Sequence, residues 1–159
     1  MKYYPAEEVA RFFLIQARDK GDFMSNKKLQ KLLYYAQAWC LALSDRPLFE
    51  NKIEAWLHGP VVPEVYQKYK KYGWKPISPP KKKIEDLDWP PKVVGFLQQV
   101  FSVYGDHSAE YLERLAHSEK PWREARGDSP LEVYSNTEIN IETMKNFYKS
   151  KLKKNGARL

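Results

Sequence analysis

A chain of 159 residues is the length of one domain and buries about 70% of the surface its unfolded form exposes, so it needs no disulfide or metal staple. A hydrophobic share of 43%, with five Trp, eleven Tyr and seven Phe, excludes extensive disorder. The net charge of +7 admits nucleic acid, an acidic protein or an anionic membrane surface as partner without selecting one, and also serves solubility.

In chain order, Met1-Lys2-Tyr3-Tyr4-Pro5 runs into Glu7 and Glu8 and lacks a signal-peptide pattern. Over residues 5–20, Val9, Phe12, Phe13 and Gln16-Ala17 recur at helical spacing, with acids at the start and Arg18 near the end, and Gly21 stops the helix. Ser25 or Asn26 caps a second helix whose apolar stripe is Leu29, Leu32, Leu33, Ala36, Cys40 and Leu43. Lys27, Lys28, Lys31 and Gln37 fall on its other faces, while Tyr34, Tyr35 and Trp39 widen the apolar surface and predict a central helix. Arg46-Pro47 breaks it. Ile53, Ala55 and Leu57 then alternate with Glu54, Trp56 and His58, which predicts a short strand, in a hairpin turning near Glu50-Asn51 and ended by Gly59-Pro60. Pro63 opens a helix with Val65 or Tyr66, Tyr69 and Tyr72 on one side.

Residues 73–91 hold five prolines and Lys81-Lys82-Lys83, an irregular stretch of the length that carries function or flexibility. A helix follows with Val93, Val94, Leu97, Val100, Phe101 and Tyr104, closed by Gly105. Ser108 caps a shorter one bearing Tyr111, Leu112 and Leu115, and Pro121 begins a turn through Trp122 ended by Gly127. The last helix starts near Asn140, is lined by Ile141, Met144, Phe147 or Tyr148, and Leu152, and ends in lysines. No run approaches the roughly 20 apolar residues of a membrane span.

Catalysis finds no support. His58, His107 and His117 form no metal motif, and nucleophile-elbow and phosphate-loop patterns are missing. Cys40, the sole cysteine, permits no intramolecular disulfide, lies on an apolar stripe and suits a reducing cytoplasm. No enzyme activity, cofactor or metal is expected. Lys68, Lys70, Lys71, Lys75 and Lys81 to Lys83, interleaved with Tyr69, Tyr72 and Trp74, keep nucleic acid open as a less favoured partner.

Three stretches carry a family resemblance. They are Lys28-Leu29-Gln30-Lys31-Leu32-Leu33-Tyr34-Tyr35-Ala36-Gln37; Ile53-Glu54-Ala55-Trp56-Leu57-His58-Gly59-Pro60-Val61-Val62-Pro63-Glu64-Val65-Tyr66; and Leu115-Ala116-His117-Ser118-Glu119-Lys120-Pro121-Trp122-Arg123-Glu124-Ala125. In this order the chain resembles, over roughly residues 9–127, the Panacea family of SocA-like and GepA-like, phage-associated antitoxin domains. The resemblance implies a mainly α fold and a cytoplasmic antitoxin of a bacterial or phage toxin–antitoxin pair. Its partner would be a cognate toxin, encoded by the adjacent gene and bound directly. One branch of the family resembles an adaptor that delivers its toxin to the ClpXP protease. The resemblance brings no catalytic residues.

The expectation is therefore a compact single domain over residues 1–159. It would be a bundle of about six helices with a short β-hairpin around residues 48–58. The helix at about 140–154 would be packed on the bundle or used for partner binding. Leu29, Leu32, Tyr35, Trp56, Gly59, Pro60, Pro63, Tyr66, His117, Pro121 and Trp122 are read as motif residues that build the scaffold. Tyr69, Lys70, Trp74, Lys75, Lys81, Lys82, Lys83, Trp89, Lys145, Lys149 and Lys153 are the candidate partner-binding residues, beside the irregular stretch and on the last helix.

Overall fold

The Ser25 hydroxyl accepts the Lys28 amide at 3.2 Å and so starts α2 (Asn26–Ser44), the helix around which the others are arranged. A computed structural model describes residues 3–130 and 133–154; Met1 and Lys2 of the N-terminal stretch lie outside the described residues. Against α2 pack α1 (Ala6–Asp19), α3 (Pro63–Tyr69), α4 (Pro91–Tyr104), α5 (Ala109–His117) and α7 (Ile141–Lys154). α6 (Lys120–Arg126) sits against α7 and the hairpin. The described residues thus form seven α-helices and one two-stranded sheet, a mainly α fold.

The core is aromatic. Tyr35 stacks on Tyr104 at 4.0 Å between ring centres, and Tyr148 of α7 meets Tyr34, Tyr35 and Trp39 edge-on. Trp39 donates its indole N–H to the Tyr104 hydroxyl at 2.7 Å, so both ring and polar tip are satisfied inside. The last helix is therefore packed on α2 through Met144 and Tyr148.

Three expectations need correcting. The stripe assigned to α2 was too narrow and drifted at its end: Ala38, Leu41 and Ala42 are buried, Cys40 is only partly so, and Leu43 is exposed. Lys31 and Gln37, placed on faces other than the apolar stripe, are buried because elements pack around α2 on several sides. The hairpin lies later than expected. β1 (Glu54–Trp56) pairs antiparallel with β2 (Gly59–Val61), so the turn falls at Leu57-His58 rather than Glu50-Asn51. Pro60 is tolerated in β2 because it faces Ala55, whose amide points the other way and donates to Thr137 O at 2.8 Å.

The irregular stretch is tied down. Ile77 is buried and its amide donates to Met24 O at 2.9 Å, Arg18 holds Pro80 O at 2.6 Å, and a 3-10 turn spans Ile84–Leu87.

Candidate functional site

The three sequence motifs meet in one block. From α2, the Gln30 side chain accepts the Val62 amide at 2.9 Å, Asn26 donates to Tyr66 O at 3.1 Å, and the Lys31 ammonium donates to Pro60 O at 3.2 Å. Gln37 clamps the segment before the hairpin, accepting the Leu48 amide and donating to Phe49 O. From α6, Trp122 donates its indole N–H to Trp56 O at 2.9 Å and stacks under His117 at 4.0 Å. Glu119, just before α6, accepts the hydroxyls of Tyr148 at 2.7 Å and Tyr35 at 3.3 Å, and faces Lys151 at 3.0 Å. Each of these side chains is recruited by a backbone group or buried hydroxyl that would otherwise be left unpaired.

Where α2, the hairpin and α3 join, a cleft of about 600 Å³ opens to the surface. Asn26, Lys27, Gln30 and Lys31 form one wall; Trp56, Leu57, His58, Val61 and Tyr66 form the other; Gly73, Trp74 and Tyr134 stand at the rim. Trp56 packs edge-on against Tyr66 at 4.9 Å and lies 6.3 Å from Tyr134. Trp74 is 88% exposed and Tyr134 68% exposed, although both are large rings.

The electrostatics of the cleft centre on Lys31. Burial lowers its amine to about 7; Glu113 counters the shift and Lys27 adds to it. Glu113 is occupied elsewhere, by Lys27 at 2.8 Å and His58 at 3.2 Å. Burial pushes its carboxyl up, but the hydrogen bond and charge of Lys27 outweigh that and hold it below its ordinary value. Burial also lowers the His117 imidazole, against the pull of Glu113. Among the described residues no group of three or more His, Cys, Asp and Glu side chains is arranged to hold a metal. What the cleft offers is a buried lysine and several aromatic rings in one lining.

The candidate partner-binding residues divide. Lys70, Trp74, Lys75, Lys81, Lys82, Lys83 and Lys153 are exposed. Tyr69 is only 8% exposed and belongs to the core. Trp89 is likewise turned inward, stacked on Phe12 at 5.8 Å and against Tyr4 at 4.9 Å, so it fastens the irregular stretch rather than projecting from it. Lys149 and, at 4.0 Å, Lys145 are drawn to Asp45, the left-handed residue ending α2. Only Trp74 of the set joins the cleft.

Among the motif residues, Leu29, Leu32 and Tyr35 are core, Gly59 and Pro60 are buried in β2, Pro63 is the first residue of α3, and Pro121 and Trp122 are buried in α6. Trp56 and Tyr66 do more than build scaffold, since they also line the cleft. Sequence reasoning passed over Lys31, Gln30 and Asn26. Their spacing put them on one helix face, but nothing in it announced that the face was covered.

No helix among the described residues is long and apolar enough to cross a membrane. No solved structure matches the chain at a significant level. A curated relative, "Antitoxin SocA" of Caulobacter vibrioides (strain NA1000 / CB15N), is 34% identical over 127 residues, 74% of this chain and 68% of that protein. Residues 29–123, which hold Lys31, Trp56, His58, Tyr66 and Trp74, match the family described as antitoxin SocA-like, Panacea domain. By motif, by the block those motifs build and by these matches, the chain belongs to the SocA-like antitoxins with a Panacea domain.

Proposed function

We propose that this protein is the antitoxin of a toxin–antitoxin pair and neutralises a cognate toxin by binding it directly, without catalysis. Residues 1–159 would act as one domain in the cytoplasm, with the toxin encoded next door. Kinship to "Antitoxin SocA" supports the role. The observation that carries direct binding is Trp74, an 88% exposed indole at the rim of a cleft that Lys31 also lines. Large rings beside concavities are the usual anchors of protein interfaces.

Co-expression with the product of the neighbouring gene tests this. Growth arrest by the neighbour alone, relieved by this protein and accompanied by a complex that survives gel filtration, is the expected result. A harmless neighbour, or one still toxic in the presence of this chain, ends the proposal. Toxin lifetime tells blocking from delivery to ClpXP: blocking leaves it unchanged or longer, delivery shortens it. Binding to DNA that weakens steeply with salt would point instead to the exposed lysines of residues 70–83 acting on phosphates.

A further inference from the structure

Lys31 is an expensive way to build a scaffold. Its side chain is buried, and the one hydrogen bond of its ammonium among the described residues is to Pro60 O at 3.2 Å. An ammonium has three donors, and a buried cation without an anion beside it is costly. The acid whose charge acts on it, Glu113 of α5, already serves Lys27 and His58. An apolar side chain of the same length would fill the space at less cost. Lys31 is nonetheless one of the residues lining the cleft, together with two exposed rings.

We propose that this cleft is the toxin-docking site and takes an acidic side chain of the toxin, its carboxylate paired with the Lys31 ammonium while Trp74 and Tyr134 cover the apolar residues on either side. The inference rests on the antitoxin reading and adds the chemistry of the partner. A side chain fits better than a chain terminus. The Lys31 side chain is buried, so a carboxylate that meets its ammonium needs a flexible stalk, and Trp74 and Tyr134 are exposed to cover chain continuing past it. Lys27, which also lines the cleft, and His58 already share Glu113, so among the described lining residues Lys31 is the cation with no carboxylate bonded to it.

The test is calorimetric binding of the purified neighbouring gene product to the full chain and its variants. Lys31→Met should weaken binding about 30-fold or more, since a buried charge pair loses one partner. Trp74→Ala should weaken it about tenfold, and Tyr134→Ala should weaken it in the same direction. Thermal melts check folding, and the two ring variants decide the matter if Lys31→Met does not fold. Affinity of the wild type should fall as pH rises above about 7, where the free amine loses its proton, and Lys31→Met should flatten that slope. Glu113, Lys27, His58 and His117, the other charged or titratable groups around this amine, remain in that variant, so a slope that persists belongs to them and overturns the proposal. Unchanged affinity in the folded variants overturns it too, while leaving direct neutralisation intact. Amidating the toxin's C-terminus, which removes the terminal charge, should not alter affinity; loss of binding would assign the carboxylate to the chain terminus and reject the side chain. If the wild type does not bind the neighbour, the antitoxin reading falls and this inference falls with it.

Discussion

The side chain of Lys31 crosses so close beneath Gly59 that a Cβ on Gly59 would stand 2.5 Å from Lys31 Cε. Gly59 also has φ +107°, a conformation that residues with a side chain rarely adopt. Both constraints act at one position, which explains why a glycine follows His58 at the hairpin turn.

Gly59→Ala is therefore expected to destabilise the fold by about 2 kcal/mol, from overpacking and backbone strain together. Urea denaturation of the single variants and of Gly59→Ala/Lys31→Ala separates the two. Shortening Lys31 removes the clash but not the strain, so the pair should show a favourable coupling of about 1 kcal/mol. Strict additivity would mean that the two side chains do not compete for space.

The buried amine also sets a pH dependence. Its pKa in the folded protein, about 7, lies below the ordinary value, so across the interval the unfolded chain binds more protons than the native one. Stability from this group thus rises with pH between about pH 7 and pH 10, and the full penalty, on the order of several kcal/mol, applies below about pH 7. Lys31→Met should be more stable than wild type at neutral and lower pH, with an advantage that shrinks toward about pH 10. Urea midpoints at a series of pH values test the sign; a constant difference would show that the amine does not titrate in this window.

Trp122→Phe keeps the ring beneath His117 but removes the bond to Trp56 O. A loss of about 1 kcal/mol is expected, read as a melting point lower by about 3 °C. Because that bond ties α6 to β1, amide exchange of the hairpin should speed up more than that of α1.

Glu119 has a larger effect. Glu119→Ala strips an acceptor from two buried tyrosine hydroxyls and a partner from Lys151, and should cost about 3 kcal/mol by denaturant unfolding. Tyr148→Phe at the same site should cost less, because it takes away the donor along with the need for it.

Lys145→Ala and Lys149→Ala touch solvent-exposed pairs with Asp45 and should change stability by less than about 1 kcal/mol. Circular dichroism melts check this. With folding intact, any loss of toxin neutralisation in these variants reports contact with the toxin.

Much of the helical plan was legible. Ser25, Ser108 and Asn140 announce helix starts through their caps, and Pro63, Pro91 and Pro121 stand in the first turns of α3, α4 and α6. The polar lining of α2 was not legible, for a definite reason. Asn26, Gln30, Lys31 and Gln37 bond to main-chain groups of Tyr66, Val62, Pro60 and Phe49, and a main-chain group leaves no mark on the amino-acid sequence. The hairpin was misplaced because Pro60 reads as a strand breaker until its partner across the sheet is known. Trp74 and Trp89 look alike in sequence, each an indole beside a turn. Only the presence of Phe12 and Tyr4 against one of them draws it partly inside.

The hairpin also decides which kinds of partner can be received. β1 pairs with β2 on one side, and on the other Ala55 N donates to Thr137 O while Ile53 O accepts from Ile139 N. The strand most open to extension is thus closed by the chain's own later segment. β2, for its part, is buried and offers a proline where an amide would be wanted. Capture of an extended peptide by adding a strand, a common way for proteins to bind one another with little regard to side chains, is shut off at this sheet. A partner arriving here must be read by its side chains, so its identity rests on the charge and shape of a few residues rather than on its backbone.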